Sequence, residues 1–169
     1  MLKRILVAYD RSEMAEQALE QASSLAKFQS AKLRLVHVLC EGEPGSPPKL
    51  YFNDRQHIAQ PSGFVMGQYE KDWNHFVDDW WKRLEWIVRK AKADGLEASC
   101  DLYQGRAGRQ LCQAAKDWHA DLIVMGYRGL TQAQEMMVGS VSHYVNHRAP
   151  CSSNYKFKSY QLIQKLSTS

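Results

Sequence analysis

Apolar residues along this chain follow two rhythms in turn. Residues 3–9 (Lys-Arg-Ile-Leu-Val-Ala-Tyr) are an apolar stretch without polar alternation that stops at Asp10-Arg11-Ser12, the pattern of a strand buried on both faces. From Ser12, a candidate N-cap, the residues Ala15, Ala18, Leu19, Ala22, Leu25 and Ala26 recur at helical spacing. Residues 32–40 predict a second strand. Residues 41–67 lose periodicity, and Glu41 to Pro48 hold three of the chain's five prolines, which is loop chemistry. The spacing of Trp73, Phe76, Val77, Trp80, Trp81, Leu84, Ile87, Val88 and Ala91 predicts a helix over 69–93, ended by Gly95 as its C′ residue. A third strand is expected over 97–103, a turn from Gly105 to Gly108, a helix over 109–118 and a fourth buried strand over 121–125. A last helix is expected over 139–148, with Val141, Tyr144 and Val145 inward and Pro150 beyond its end.

This alternation predicts a single-domain α/β fold built on an open parallel sheet with right-handed crossovers. In such sheets ligands bind beyond the carboxyl ends of the strands. Here those ends fall at Asp10, just after Val38, and at Met125-Gly126.

Composition narrows the picture without redirecting it. A length of 169 residues suits one domain, and the 44% hydrophobic and 24% charged residues are an ordinary globular balance. No apolar run approaches the ~20 residues of a membrane helix. The first residues lack the long apolar core and cleavage site of a signal peptide, so a cytoplasmic location is expected. Lys156, Lys158 and Lys165 account for three of the four net positive charges, leaving +1 over residues 1–149. A nearly neutral body argues against a nucleic-acid footprint. Cys40, Cys100, Cys112 and Cys151 show no C-x-x-C spacing and read as small buried thiols.

The chemistry concentrates between the fourth strand and the last helix. Gly126 and Gly129 lie three apart, and Gly139-Ser140-Val141 opens the helix. Glycine lets backbone N–H groups approach and point at an anion. A helix start presents unpaired N–H groups and a favourable dipole to a phosphate. The Ser140 hydroxyl adds a donor, and Arg128 and Thr131 are placed to reach outer phosphates. Spacing alone leaves open a tight turn followed by a glycine helix start.

The pattern G-x2-G-x9-G-[S/T], filled by Gly126, Gly129, Gly139 and Ser140, resembles that of the ATP-binding branch of the universal stress protein family. Lys3 to Ser12 resembles that family's first strand and the acidic residue after it, Leu35-Val36-His37-Val38 its second strand, and Ala120 to Gly126 its fourth. The likeness runs from about residue 2 to residue 151. It implies a Rossmann-like, adenine-nucleotide α-hydrolase-like domain with helices on both faces of the sheet. Residues 41–67 form a loop insertion, and residues 152–169 a divergent basic tail. It implies that Ala8, Tyr9 and Asp10 line an adenosine pocket, the Asp10 carboxylate accepting from ribose hydroxyls, and that Val38 packs on the adenine. Met125, Gly126, Arg128, Gly129, Leu130 and Thr131 would wrap the phosphates, which Gly139, Ser140 and Val141 close from the helix start. The implied ligand is ATP, or AMP or ADP, with Mg, and the implied role is a nucleotide-dependent stress-response or signalling module. Asp10 also reads as an acid favoured at a helix N-terminus, a role that can coexist with the first.

In the family the strand after Ala149-Pro150-Cys151 is Val- and Ile-rich and commonly builds a homodimer. Here Tyr155 and Phe157 alternate with lysines, the pattern of a half-exposed edge strand. His143 and His147 are four apart, a metal-ligand spacing, but read as surface or capping histidines. No G-x-x-x-x-G-K-[S/T] loop and no G-x-S-x-G elbow appears. No residue stands out as a base, so at most a weak ATPase, or an adenylating enzyme of similar fold, is the alternative. A third reading is a scaffold in which the Trp-rich helix and the 41–67 segment meet an unidentified protein partner. Trp86, off the apolar stripe, is the candidate contact.

Overall fold

The computed structural model describes residues 1–48, 63–126 and 140–154. Within them the chain runs β1 (Arg4–Ala8), α1 (Glu13–Gln29), β2 (Lys32–Leu39), α2 (Gly63–Ala93), β3 (Ala98–Gln104), α3 (Ala107–Asp117), β4 (Leu122–Met125), α4 (Ser140–Arg148) and β5 (Ser152–Asn154). The strands form one five-stranded sheet in the order β3-β2-β1-β4-β5. Every pairing is parallel, as the strand–helix alternation predicts.

The sheet is covered on both faces, and this explains its unbroken apolar strands. Successive residues of a strand point to opposite faces. Ile5 and Val7 pack with α1 and α2, while Leu6 between them packs with α3 and α4. All three are fully buried. The α1–α2 layer also takes Leu33, Leu35, Leu84 and Val124, and the α3–α4 layer takes Val36, Leu111, Ile123 and Val145. Burying one such side chain contributes about 1.5–3 kcal/mol. At the amino edge of the sheet, the Asp121 carboxylate accepts from the Lys3 and Arg4 backbone N–H groups at 2.7 and 2.9 Å.

Two predicted caps are present. The Ser12 side chain accepts from the Ala15 N–H at 3.1 Å and opens α1. Gly95, at φ 84°, closes α2, and the Leu96 N–H returns to the Ala91 carbonyl at 3.0 Å.

Several expectations need correction. The α2 helix begins at Gly63 rather than residue 69 and runs for 31 residues, so 63–67 is helix and not loop. Phe64, Val65 and Met66 are exposed; this first stretch buries no face and so carries no apolar period to read. Trp81, read as inward, is 37% exposed beside the buried Trp80, because neighbouring helical residues are rotated by about 100°. Helix α3 starts at Ala107, so Gly108 is helical; a Cβ there would meet the Tyr144 side chain at 2.9 Å. On α4 the buried positions are Ser142 and Val145. Val141 and Tyr144, read as inward, are each 37% exposed; α4 enters the core through Val145, while the Tyr144 ring lies over Gly108 with one side open to solvent. The four cysteines are partly rather than fully buried. The strand after Cys151 is a three-residue edge strand; Tyr155 and Phe157 lie outside the described residues.

Candidate functional site

The strand order places a topological switch beside β1. The chain leaves β1 toward β2 and β3 on one side, then crosses to β4 and β5 on the other. At such a switch the two connections part and leave a crevice beyond the strand ends. Ala8, the last residue of β1, pairs in register with Met125, the last of β4. Gly126 follows Met125 directly, and Asp10 follows Ala8 after Tyr9.

The first turn of α1 forms one wall of this crevice. A Cβ on Gly126 would stand 2.8 Å from the Met14 carbonyl carbon and 2.9 Å from the Ala15 nitrogen. The end of β4 therefore lies directly against the α1 backbone. Packing alone thus requires glycine at 126.

Electrostatics differ between the helix starts at this edge. Helix α1 carries Glu13 and Glu16 in its first turn behind the Ser12 cap, and exposed Asp10 precedes it. That end is already satisfied and acidic, which suits hydroxyl groups and repels anions. Helix α4 has no acid in its first turn. A right-handed β4–α4–β5 crossover brings its start, with exposed Ser140 and Val141, to the carboxyl edge of the sheet. Of the two, α4 is the end suited to an anion.

The predicted residues divide by face. Ala8, Val38 and Met125 belong to the α3–α4 layer. Tyr9 turns the other way, into the α1–α2 layer, and is 2% exposed. Its hydroxyl bonds to Glu16 and takes a guanidinium N–H from Arg83 at 3.1 Å. Burial, then the Glu16 carboxylate, pushes this phenol above its ordinary value, with Arg83 opposing. Tyr9 therefore presents only its main chain to the crevice side. The Asp10 carboxylate accepts from the Ser12 N–H at 3.1 Å. Arg128, Gly129, Leu130, Thr131 and Gly139 lie outside the described residues.

A polar cluster that sequence reasoning missed lies behind the strand ends. His37 is 4% exposed. Its Nδ1 lies 2.8 Å from the Tyr9 carbonyl oxygen, and its Nε2 lies 3.0 Å from Glu43 Oε1. Both ring nitrogens face acceptors, so the imidazole bridges the loop after β1 to the loop after β2. Glu43 also accepts from the Trp80 indole N–H and the Cys40 backbone N–H, each at 3.0 Å. The Cys40 thiol bonds to the Gly105 carbonyl at 3.1 Å; burial, with Glu43 beside it, raises its pKa. The only hint in the sequence was a histidine inside an apolar strand.

His143 and His147 are exposed, with ring centroids 4.5 Å apart. Among the described residues no group of three or more His, Cys, Asp or Glu could hold a metal ion. Trp86 is half exposed, flanked by Arg83 and Lys90. Among the described residues no helix is long and apolar enough to cross a membrane.

Comparison with known proteins agrees with this geometry. The model of the Universal stress protein family matches residues 1–153. Universal stress protein Sll1388 of Synechocystis sp. is 33% identical over 149 residues, which covers 88% of this chain and 94% of that protein. Universal stress protein YxiE of Bacillus subtilis is 31% identical over 159 residues, covering 89% and 96%. Among solved structures, hypothetical protein MJ0577 superposes with a TM-score of 0.69 at 22% identity, covering 95% of this chain and 99% of that one. The universal stress protein from Archaeoglobus fulgidus in complex with dAMP gives 0.53 at 20% identity, covering 90% and 97%. The chain belongs to the universal stress protein family.

Proposed function

We propose that this member of the universal stress protein family binds an adenine nucleotide across the β1–β4 switch and acts as a cytoplasmic, nucleotide-dependent stress-response or signalling module. What supports the reading is the presence of two unlike helix starts at the carboxyl edge of the sheet. The acidic start of α1, behind Asp10, suits ribose hydroxyls. The acid-free start of α4, at Ser140, suits phosphates. The main chain of Ala8 to Asp10 and the Val38 side chain would border the adenosine. Met125, Gly126, Ser140 and Val141, with Arg128, Gly129, Leu130, Thr131 and Gly139 of the glycine pattern, would surround the phosphates. The pattern favours ATP with Mg, and AMP or ADP would use the same adenosine contacts. The Archaeoglobus fulgidus relative in complex with dAMP supports the adenine class.

Mass spectrometry of the denatured purified protein, paired with calorimetry against Mg-ATP, AMP and ADP, tests this. We expect a carried adenine nucleotide or saturable heat. Absence of both at near-millimolar protein ends the proposal. A Gly139→Glu variant should lose binding, because its carboxylate repels phosphate. A homodimer is part of the proposal, and the mass of the native particle reports it.

A further inference from the structure

Helix α2 packs in the α1–α2 layer, and its Trp80 touches the loops that follow β1 and β2. The indole is 3% exposed. The His37 imidazole stacks on it with centroids 3.4 Å apart and planes 13° from parallel. The Arg11 guanidinium carbon lies 3.9 Å from the ring centroid. Two groups this close cannot share one face, so the indole is sandwiched between them. Its N–H donates to Glu43, which in turn accepts from the Cys40 backbone N–H. One side chain of α2 thereby joins the loop after β1 to the loop after β2.

Arg11 carries the second observation. Its φ is 61°, a left-handed conformation that disfavours any residue with a long side chain. Glycine or asparagine would hold this turn with less strain. Arginine instead sends its side chain across to α2. There Nη2 donates to Asp79 Oδ2 at 3.0 Å and to the Asp79 carbonyl at 3.2 Å, and the guanidinium covers Trp80. Its side chain remains 36% exposed, so core burial does not account for it. Strain of this kind persists where surroundings over-determine the backbone, and such positions cluster at functional sites. The residue immediately before Arg11 is Asp10.

We propose that Trp80 and its partners Arg11 and Glu43 are positioning residues: from α2 they fix the Asp10 loop and the Val38–Cys40 edge in the geometry that accepts adenosine. The proposal rests on the nucleotide-binding reading above. It deepens that reading by making α2 the element through which binding can be sensed or altered.

The test uses the full chain with Mg-ATP as probe and the variants Arg11→Asn, Glu43→Gln and Trp80→Phe. Asparagine tolerates the left-handed turn, so R11N removes the clasp and keeps the backbone preference. Glutamine keeps Glu43's shape and removes its charge. All three should unfold cooperatively. R11N and E43Q should bind about tenfold more weakly, with amide exchange at residues 9–12 and 40–43 about tenfold faster and β4 unchanged. Nucleotide should alter the tryptophan emission of the wild type, and W80F should lack that change. Affinity within twofold of wild type in both R11N and E43Q overturns the proposal. So does weakened binding with unaltered exchange, which would mean direct contact instead of positioning. If the wild type binds no nucleotide, the function proposed above fails separately. The clasp is then judged by exchange alone, and wild-type protection of both loops in R11N and E43Q refutes it.

Discussion

Gly126 is the residue at which packing and ligand chemistry can be separated. A Gly126→Ala substitution adds one methyl group. That group would lie 2.8 Å from the Met14 carbonyl carbon, and 2.9 Å from both the Ala15 nitrogen and Met14 Cβ. Two of these neighbours are backbone atoms in the first turn of α1, directly behind the Ser12 cap. They cannot swing aside as a side-chain tip would. On the other side, Ala8 and Met125 hold β4 in register with β1. Relief therefore requires a shift of α1 against the sheet. Overpacking of a close contact costs about 1–3 kcal/mol, which for a domain of this size lowers Tm by about 2–12 °C.

Urea and thermal unfolding of nucleotide-free protein measure this cost. Gly67→Ala is the internal control: a Cβ there meets nothing within 4 Å and the position is helical. That change should stabilise by about 0.5–1 kcal/mol. The reasoning is refuted if G126A matches the wild type without nucleotide. A variant of unchanged stability that fails only to bind would return Gly126 to a purely ligand-facing role.

Two further predictions follow from single contacts. Ser12→Ala removes the α1 cap and should cost about 0.5–2 kcal/mol, read as a shifted urea midpoint with an unchanged slope. Asp121→Asn addresses acid stability. Backbone N–H donors at Lys3 and Arg4 hold the Asp121 carboxyl below its ordinary value of 3.8. A depressed folded pKa contributes stability above the unfolded value and loses it as pH falls toward the folded one. The wild type should therefore exceed D121N in urea midpoint at pH 7, and the gap should close below about pH 4; a gap independent of pH would contradict this.

The parts legible in the sequence are those whose signal is local. Ile5-Leu6-Val7 and Leu122 to Met125 announce doubly buried strands because both faces of the sheet are covered. Ser12 and Gly95 act on backbone groups within a few residues of themselves. The glycine pattern drew attention to the carboxyl end of β4, yet it could not show that Gly126 is also required by α1, which is distant in sequence. The same distance hid the clasp: Arg11 meets Asp79 across 68 positions and Trp80 meets Glu43 across 37. Tyr9 misled differently. Its place after β1 is visible in the sequence, but Arg83 and Glu16 fix its side chain on the far layer.

The two faces of the sheet therefore contribute to the crevice in different ways. The α1–α2 layer sets its acidic half: Ser12 starts α1, Arg83 holds Tyr9, and Trp80 holds Arg11 and Glu43. The α3–α4 layer is closed by the seam where Tyr144 of α4 covers Gly108 of α3. Between them the sheet is an unbroken floor, with Val7, Val36, Ile123 and Val124 all fully buried. A close-packed floor of this kind resists compression and passes strain between the layers packed on it. Movement of α2 would reach Asp10 most directly through Arg11. A ligand spanning the crevice would touch residues governed by each layer and so add a second coupling to the one the sheet provides.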